Sequence, residues 1–190
     1  MNIGIDIDLT LVRSDIAWWQ WMCTVTQTHK DFEYPSITPR HYNLGEYFEE
    51  EFKDLSYEPL DFWRGTSVYD NLYPMPNAQE VLNNLNEAGH NLYFISTIKG
   101  NHAKSKVEWV KRFFPFVRQK NNAILLTKQK HAVNCDMMID DRNAVLNSMR
   151  GGCEKIKMWT PYTQDDLQGP YTTCYNWLEI EKRIKDNEGN

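Results

Sequence analysis

The sequence predicts an α/β fold: a doubly wound, mostly parallel sheet with a small helical cap inserted after the first strand. Short apolar runs at Asn2–Ile7, Asn91–Thr97 and Asp136–Asp140, the last preceded by the shorter run "AILLT", alternate with helical patterns. Strands of this kind, with helices between them, imply a parallel sheet covered on both faces. One stretch breaks the rhythm. From about Arg13 to Tyr73 the chain is crowded with aromatics and acids, "WWQWM", "EYFEEEFKDL" and "YEPLDFW", and reads as two to four short helices joined at Pro35 and Pro39. A long excursion inside a compact domain is usually functional. The expected division is a core of residues 1–12 and 74–190 and a cap of residues 13–73.

The helices follow from their punctuation. Asn77 can cap a helix that buries Val81, Leu82, Leu85 and Ala88 and ends at Gly89. A second helix covers about His102–Phe114, with Val107, Val110 and Phe114 on one side, and Pro115 stops it. The late "YNWLEIEKRI" reads as a last helix.

Composition narrows the function. The chain has 190 residues, 41% of them hydrophobic, enough for a real core. A net charge of −5 argues against electrostatic binding of duplex nucleic acid. It leaves room for a small anionic substrate held by local cations. Cys23, Cys135, Cys153 and Cys174 lack C-x-x-C spacing and read as reduced thiols. With no signal-peptide pattern and no apolar run near the roughly 20 residues of a membrane helix, the expectation is a cytoplasmic protein without a membrane partner. Nothing in the sequence fixes the oligomeric state, and a homodimer stays open.

The chemistry sits at strand ends. In an open parallel sheet, ligands bind beyond the carboxyl ends of the strands. The first run delivers Asp6 and Asp8 there, and side chains at i and i+2 share a face if the strand continues. Two carboxylates held together repel unless a cation intervenes, and a hard cation such as Mg²⁺ takes oxygen ligands. Alone, this pair also fits an acidic turn. The run "MMIDDRN" then delivers Asp140 and Asp141 to another strand end; the bland alternative is a helix start capped by Asp141. Two apolar strands ending in paired acids make a cluster that is hard to hold without a metal. The middle strand ends in Ser96 and Thr97, which suit a phosphate oxygen as well as an ordinary strand end. Lys128 and Lys130 follow "AILLT", either as solvated lysines or as a charge partner for phosphate.

Taken together, D-x-D-x-T, Ser/Thr, a lysine and "DD" resemble the haloacid-dehalogenase-like phosphohydrolase superfamily. Within it, "FISTIKG", "KVEWVKRFF", "LLTKQKHAVNCDMMIDDRN" and "YNWLEI" are similar to the 5′(3′)-deoxyribonucleotidases. The likeness is strongest from Tyr73 to Arg142; in the insertion "SYEPLDFW" and "YPMPNA" fall in the right order. The resemblance implies Asp6 as nucleophile and Asp8 as general acid and base. It implies Mg²⁺ bound by Asp6, the carbonyl of Asp8 and Asp141, with Asp140 in support. Thr97, with Ser96 beside it, and Lys130 would bind phosphate. Lys106 also aligns with a family lysine but lies on a helix, where a structural role is favoured. Leu9 stands where many relatives carry a small residue. Trp18, Trp19 and Trp21 read as cap core, and Tyr42, Tyr57, Phe62 and Trp63 as candidates for stacking on a nucleobase.

The expected function is a Mg²⁺-dependent phosphomonoesterase acting on a small nucleotide, a deoxyribonucleoside monophosphate. Its rivals are the same chemistry on another small phosphate ester or a nucleic-acid 3′-phosphate, and a non-catalytic nucleotide-binding protein of the same fold. Acids at all of positions 6, 8, 140 and 141 weigh against the last.

Overall fold

Alternation along each strand decides which side of the sheet a residue fills. A computed structural model describes residues 1–27, 59–98, 100–119, 121–160 and 169–188. In it β1 (Asn2–Ile5), β2 (Asn91–Ser96), β3 (Ala123–Leu126), β4 (Met137–Asp140), β5 (Glu154–Met158) and β6 (Thr172–Cys174) form one parallel sheet in the order β3-β2-β1-β4-β5-β6. Ile3, Ile5, Leu92, Phe94, Met137, Ile139, Ile156 and Met158 join the larger core. They pack with three helices, α2 (Ala78–Glu87), α3 (Ala103–Phe113) and α5 (Trp177–Glu188). The alternate residues Ile95 and Met138 build a smaller core with Leu146 of α4 (Asn143–Ser148). Gly4 lies between them because a Cβ there would meet Met138 Sδ at 2.7 Å and Cys135 Sγ at 2.8 Å. Both faces are therefore covered, as the apolar runs require.

Strands β5 and β6 join the three expected strands and the shorter "AILLT" run. The helices differ from expectation in detail. Asn77 does not cap α2 with its side chain; it takes a left-handed φ of 64° and its carbonyl accepts the Val81 N–H. At the other end Gly89, at φ 86°, donates to Asn86 O, and His90 donates to Leu85 O, the paired bonds of a glycine-terminated helix. Helix α3 buries Ser105, Lys106, Trp109 and Val110, whereas Val107 is half-buried, so its inner face is rotated from the expected one. Helix α5 begins where Asn176 Oδ1 accepts the Glu179 N–H and Glu179 accepts bonds in return from Asn176 and Tyr175. Among the described residues, no helix is long and apolar enough to cross a membrane. The four cysteines are free thiols.

Strand β1 ends at Ile5, not Ile7, and the chain turns sharply. Ile7 O accepts both the Leu11 N–H (2.8 Å) and the Val12 N–H (3.1 Å). Val12 is bridged to Pro74, and Met75 N–H donates to Leu11 O at 2.7 Å, so the chain leaves and re-enters the sheet region at adjacent points. Between them, the described helices are α1 (Ser14–Val25) and a 3-10 helix at Pro59–Arg64. Trp18, Trp19 and Met22 of α1 pack with Phe62, and Trp21 lies partly buried against them.

Leu9 joins the same cluster, although it sits at φ 59°. A left-handed leucine is strained by about 1–2 kcal/mol, while truncating a buried leucine costs about 2–5 kcal/mol. Burial wins. Leu9→Gly is expected to destabilise the protein by about 1–3 kcal/mol in urea unfolding, despite relieving the backbone. A gain in stability would show that the turn, not the apolar contact, dominates at this position.

Candidate active site

Strand order reverses at β1. The chain winds outward to β2 and β3 on one side and to β4, β5 and β6 on the other. The crevice at such a reversal is where open α/β sheets bind ligands, and β1 and β4 flank it. Asp6 follows β1 with its N–H still donating to Ile139 O at 2.9 Å, and Asp140 ends β4 with Asp141 after it. Adjacent parallel strands thus bring together acids that are 134 or more residues apart in sequence.

Lys130 holds two of them. Its ammonium lies 2.7 Å from Asp6 Oδ1 and 2.7 Å from Asp140 Oδ2, and all three residues are buried. Burial alone would push the lysine towards neutrality, but the charges and hydrogen bonds of Asp140 and Asp6 outweigh it and hold the proton more firmly than usual. Asp140 Oδ1 accepts the Arg142 N–H at 2.9 Å. Asp141 is the outlier: it is 1% exposed and its Oδ2 has no hydrogen-bond partner. Burial, then the charges of Asp140 and Asp6, raise its carboxyl well above the usual range. Asp6 is pushed up to about 6, by burial first and by Asp140 and Asp8 besides, against Lys130.

Asp6, Asp140 and Asp141 each offer an oxygen, and these lie within 4.8 Å of one another. An all-oxygen, all-anionic donor set with an orphaned buried carboxylate oxygen fits a hard divalent cation.

Asp8 does not share the Asp6 cluster. One of its oxygens accepts the Tyr69 hydroxyl and the other accepts Lys106 Nζ at 2.8 Å. Burial raises its carboxyl, but Lys106 outweighs that by charge and hydrogen bond, aided by Tyr69 and His102, and the net value lies below the usual range. Lys106 is fully buried, and its three N–H donors are spent on Asp8, on Ser96 Oγ (2.8 Å) and on Thr97 O (3.1 Å). The helix that carries Lys106 aims its ammonium at Asp8. Ser96 is occupied by that lysine. Thr97 is half-buried, with its hydroxyl 3.4 Å from Thr127 O. Lys128 is a surface lysine.

Of the aromatic candidates, Phe62 is buried in the cluster around α1. Trp63 is half-buried; its ring lies against Phe62 at 4.7 Å, and its carbonyl accepts from His102 Nδ1. Tyr42 and Tyr57 lie outside the described residues. Sequence reading missed Tyr69, which lies in no strand-end motif.

Residues 3–186 match the family model "5′ nucleotidase, deoxy (Pyrimidine), cytosolic type C protein". The chain belongs to this family. It is a hydrolase of deoxyribonucleotidase type. Relatives include the 5′(3′)-deoxyribonucleotidase of Bacillus subtilis (strain 168), 29% identical over 131 residues that span 67% of this chain and 69% of that protein. That of Clostridium acetobutylicum is 28% identical over 150 residues, 79% of this chain and 78% of the relative. The fold is shared with a HAD family hydrolase of Deinococcus radiodurans R1 solved with bound phosphate and sodium. The TM-score is 0.63 at 13% identity, over 98% of this chain and 96% of that one.

A carboxyl that titrates higher folded than unfolded binds extra protons in the folded chain. Its contribution to stability is therefore lost as pH rises from about 4 through about 6. In EDTA, Asp6→Asn should gain Tm relative to wild type between those pH values. Excess Mg²⁺ at neutral pH should raise the wild-type Tm and leave Asp141→Ala nearly unmoved. Equal wild-type midpoints in EDTA and in saturating Mg²⁺ would rule out the metal site.

Proposed function

We propose that this protein hydrolyses deoxyribonucleoside monophosphates to nucleoside and phosphate through an aspartyl-phosphate on Asp6. The observation that carries the reading is the pairing of two lysine-bound carboxylates at the β1/β4 crevice. Lys130 anchors Asp6 beside the acid cluster, and Lys106 anchors Asp8 beside Thr97. One carboxylate is set to attack and the other to move a proton. The names of the relatives supply the substrate class.

The steps follow from these positions. A carboxylate oxygen of Asp6 attacks phosphorus, the bond from phosphorus to the nucleoside oxygen breaks, and that oxygen takes a proton from Asp8. Asp8 is ionised in the free enzyme at neutral pH, and a phosphate dianion arriving beside it raises its affinity for the proton it must carry. Water then attacks the phosphorus of the acyl phosphate, giving its proton to Asp8, and the Asp6 carboxylate is released. Lys130 keeps Asp6 oriented and offsets charge on the transferring group, and the Thr97 hydroxyl offers a donor to a phosphoryl oxygen. Mg²⁺, when bound by Asp6, Asp141 and the Asp8 carbonyl with Asp140 in support, neutralises phosphoryl charge. Phosphoryl transfer is mostly positioning and neutralisation of this kind.

Residues 13–73 act as a cap that excludes water from the intermediate. The bridge between Val12 and Pro74 supports this reading, because it gives the segment adjacent exit and entry points. Trp63, half-buried and next to His102 at the start of α3, is the more exposed of the two described candidates for stacking on a base. Phe62 serves the cap core. The substrate is a small molecule rather than a duplex, and the protein works in the cytoplasm.

Asp6→Asn should abolish turnover of every phosphate ester while leaving the fold intact, and Asp8→Asn should slow nucleotide hydrolysis severely. Retained turnover in Asp6→Asn would exclude covalent catalysis at that residue. Substrate class is tested on dTMP, dUMP, dGMP and glycerol phosphate. Base stacking is worth roughly 1–3 kcal/mol, so Trp63→Ala should lose about ten- to hundredfold in kcat/KM on nucleotides and far less on glycerol phosphate. An equal loss on all four esters would make Trp63 a packing residue and leave the base unread by it.

A further inference from the structure

Tyr69 lies on the limb of chain that returns from the inserted segment, in no strand-end motif, and is wholly buried. Its backbone is fixed at both ends. The N–H donates to Ser105 Oγ at 2.9 Å, and that hydroxyl donates to Asp70 Oδ1 at 2.7 Å. Its carbonyl accepts from Arg112 at 3.3 Å. The ring stands against Trp109 (6.2 Å between centroids) and His102 (5.8 Å), with the Lys106 ammonium 4.9 Å from its centroid. The packing directs the phenol hydroxyl at Asp8 Oδ1, while Lys106 takes Oδ2.

We propose that Tyr69 is the positioning residue for Asp8; this rests on the phosphomonoesterase reading above. A carboxylate held by one donor can pivot about that contact. Asp8 is held through both oxygens, by donors from two separate parts of the chain, so its plane and its rotamer are fixed together. Proton transfer depends on hydrogen-bond geometry at the leaving oxygen, and small misplacements of a catalytic group are costly. Lys106 also serves Ser96 and Thr97, and the phenol supplies a second, independent hold on Asp8.

The decisive readout is leaving-group dependence in Tyr69→Phe. The quantity kcat/KM reports steps up to departure of the leaving group. A nucleoside or glycerol oxygen needs a proton at that step; p-nitrophenolate leaves without one. The variant should therefore lose about ten- to hundredfold in kcat/KM on dTMP and glycerol phosphate, the range expected for a hydrogen bond to a charged group. On p-nitrophenyl phosphate it should stay near wild type. The ratio of the two losses is independent of how much variant folds, so a lowered Tm does not obscure it. Equal losses on both ester classes would reduce Tyr69 to packing, and no loss on either would make its hydrogen bond idle; each overturns the proposal. A wild type that cleaves glycerol phosphate and p-nitrophenyl phosphate but no nucleotide would refute the nucleotide assignment separately, and the same ratio would still judge Tyr69.

Discussion

A buried ammonium group ties this site together. Lys130 Nζ stands 2.7 Å from both Asp6 and Asp140, which joins the turn after β3 to the ends of β1 and β4. A buried lysine without such partners would carry a heavy desolvation penalty, and buried carboxylates without it would repel. Each group makes the other tolerable. The sheet contributes by register: Ile5 is paired with Ile139, so the next residues of both strands emerge side by side.

Charge balance then explains the rest of the crevice. Four carboxylates, Asp6, Asp8, Asp140 and Asp141, meet two ammonium groups, Lys106 and Lys130. Lys106 satisfies Asp8, and Lys130 is shared by Asp6 and Asp140. Asp141 is left with an unpartnered oxygen and a carboxyl raised well above its ordinary range. The deficit is about that of one divalent cation, and it falls where three carboxylate oxygens converge. The fold tolerates this imbalance at a crevice where a divalent cation would restore neutrality.

Much of this was legible because the chemistry is written at the ends of apolar runs. Asp6, Asp140, Asp141 and Lys130 all follow such runs, and a parallel sheet collects those ends on one edge. Strand β5 was missed because "EKIKM" carries two lysines, yet Lys157 is buried and donates to Asn143 Oδ1. Strand β6 has three residues, too few for a period. Lys106 carries a signal of its own. It shares a helical stripe with Trp109 and Val110, and a charge on a core-facing stripe demands a buried partner. That partner, Asp8, is 98 residues away in sequence, so only the fold names it. Tyr69 offered no periodic signal, since its position follows from chain return rather than from a helix or strand.

The inserted segment is not merely set beside the site. Leu9, one residue after Asp8, is packed among Trp18, Trp19, Met22 and Phe62, and it accepts a left-handed backbone to reach them. On the return side, Tyr69 reaches the other flank of Asp8, and Gly100, at φ 78°, lies so close to Arg64 that a Cβ would come within 2.9 Å of its Cα. The aromatic cluster and Asp8 are therefore mechanically continuous through short, buried contacts. A glycine in place of Leu9 would separate the two, leaving the turn free of the aromatic core. With leucine there, how that core packs bears on where Asp8 points.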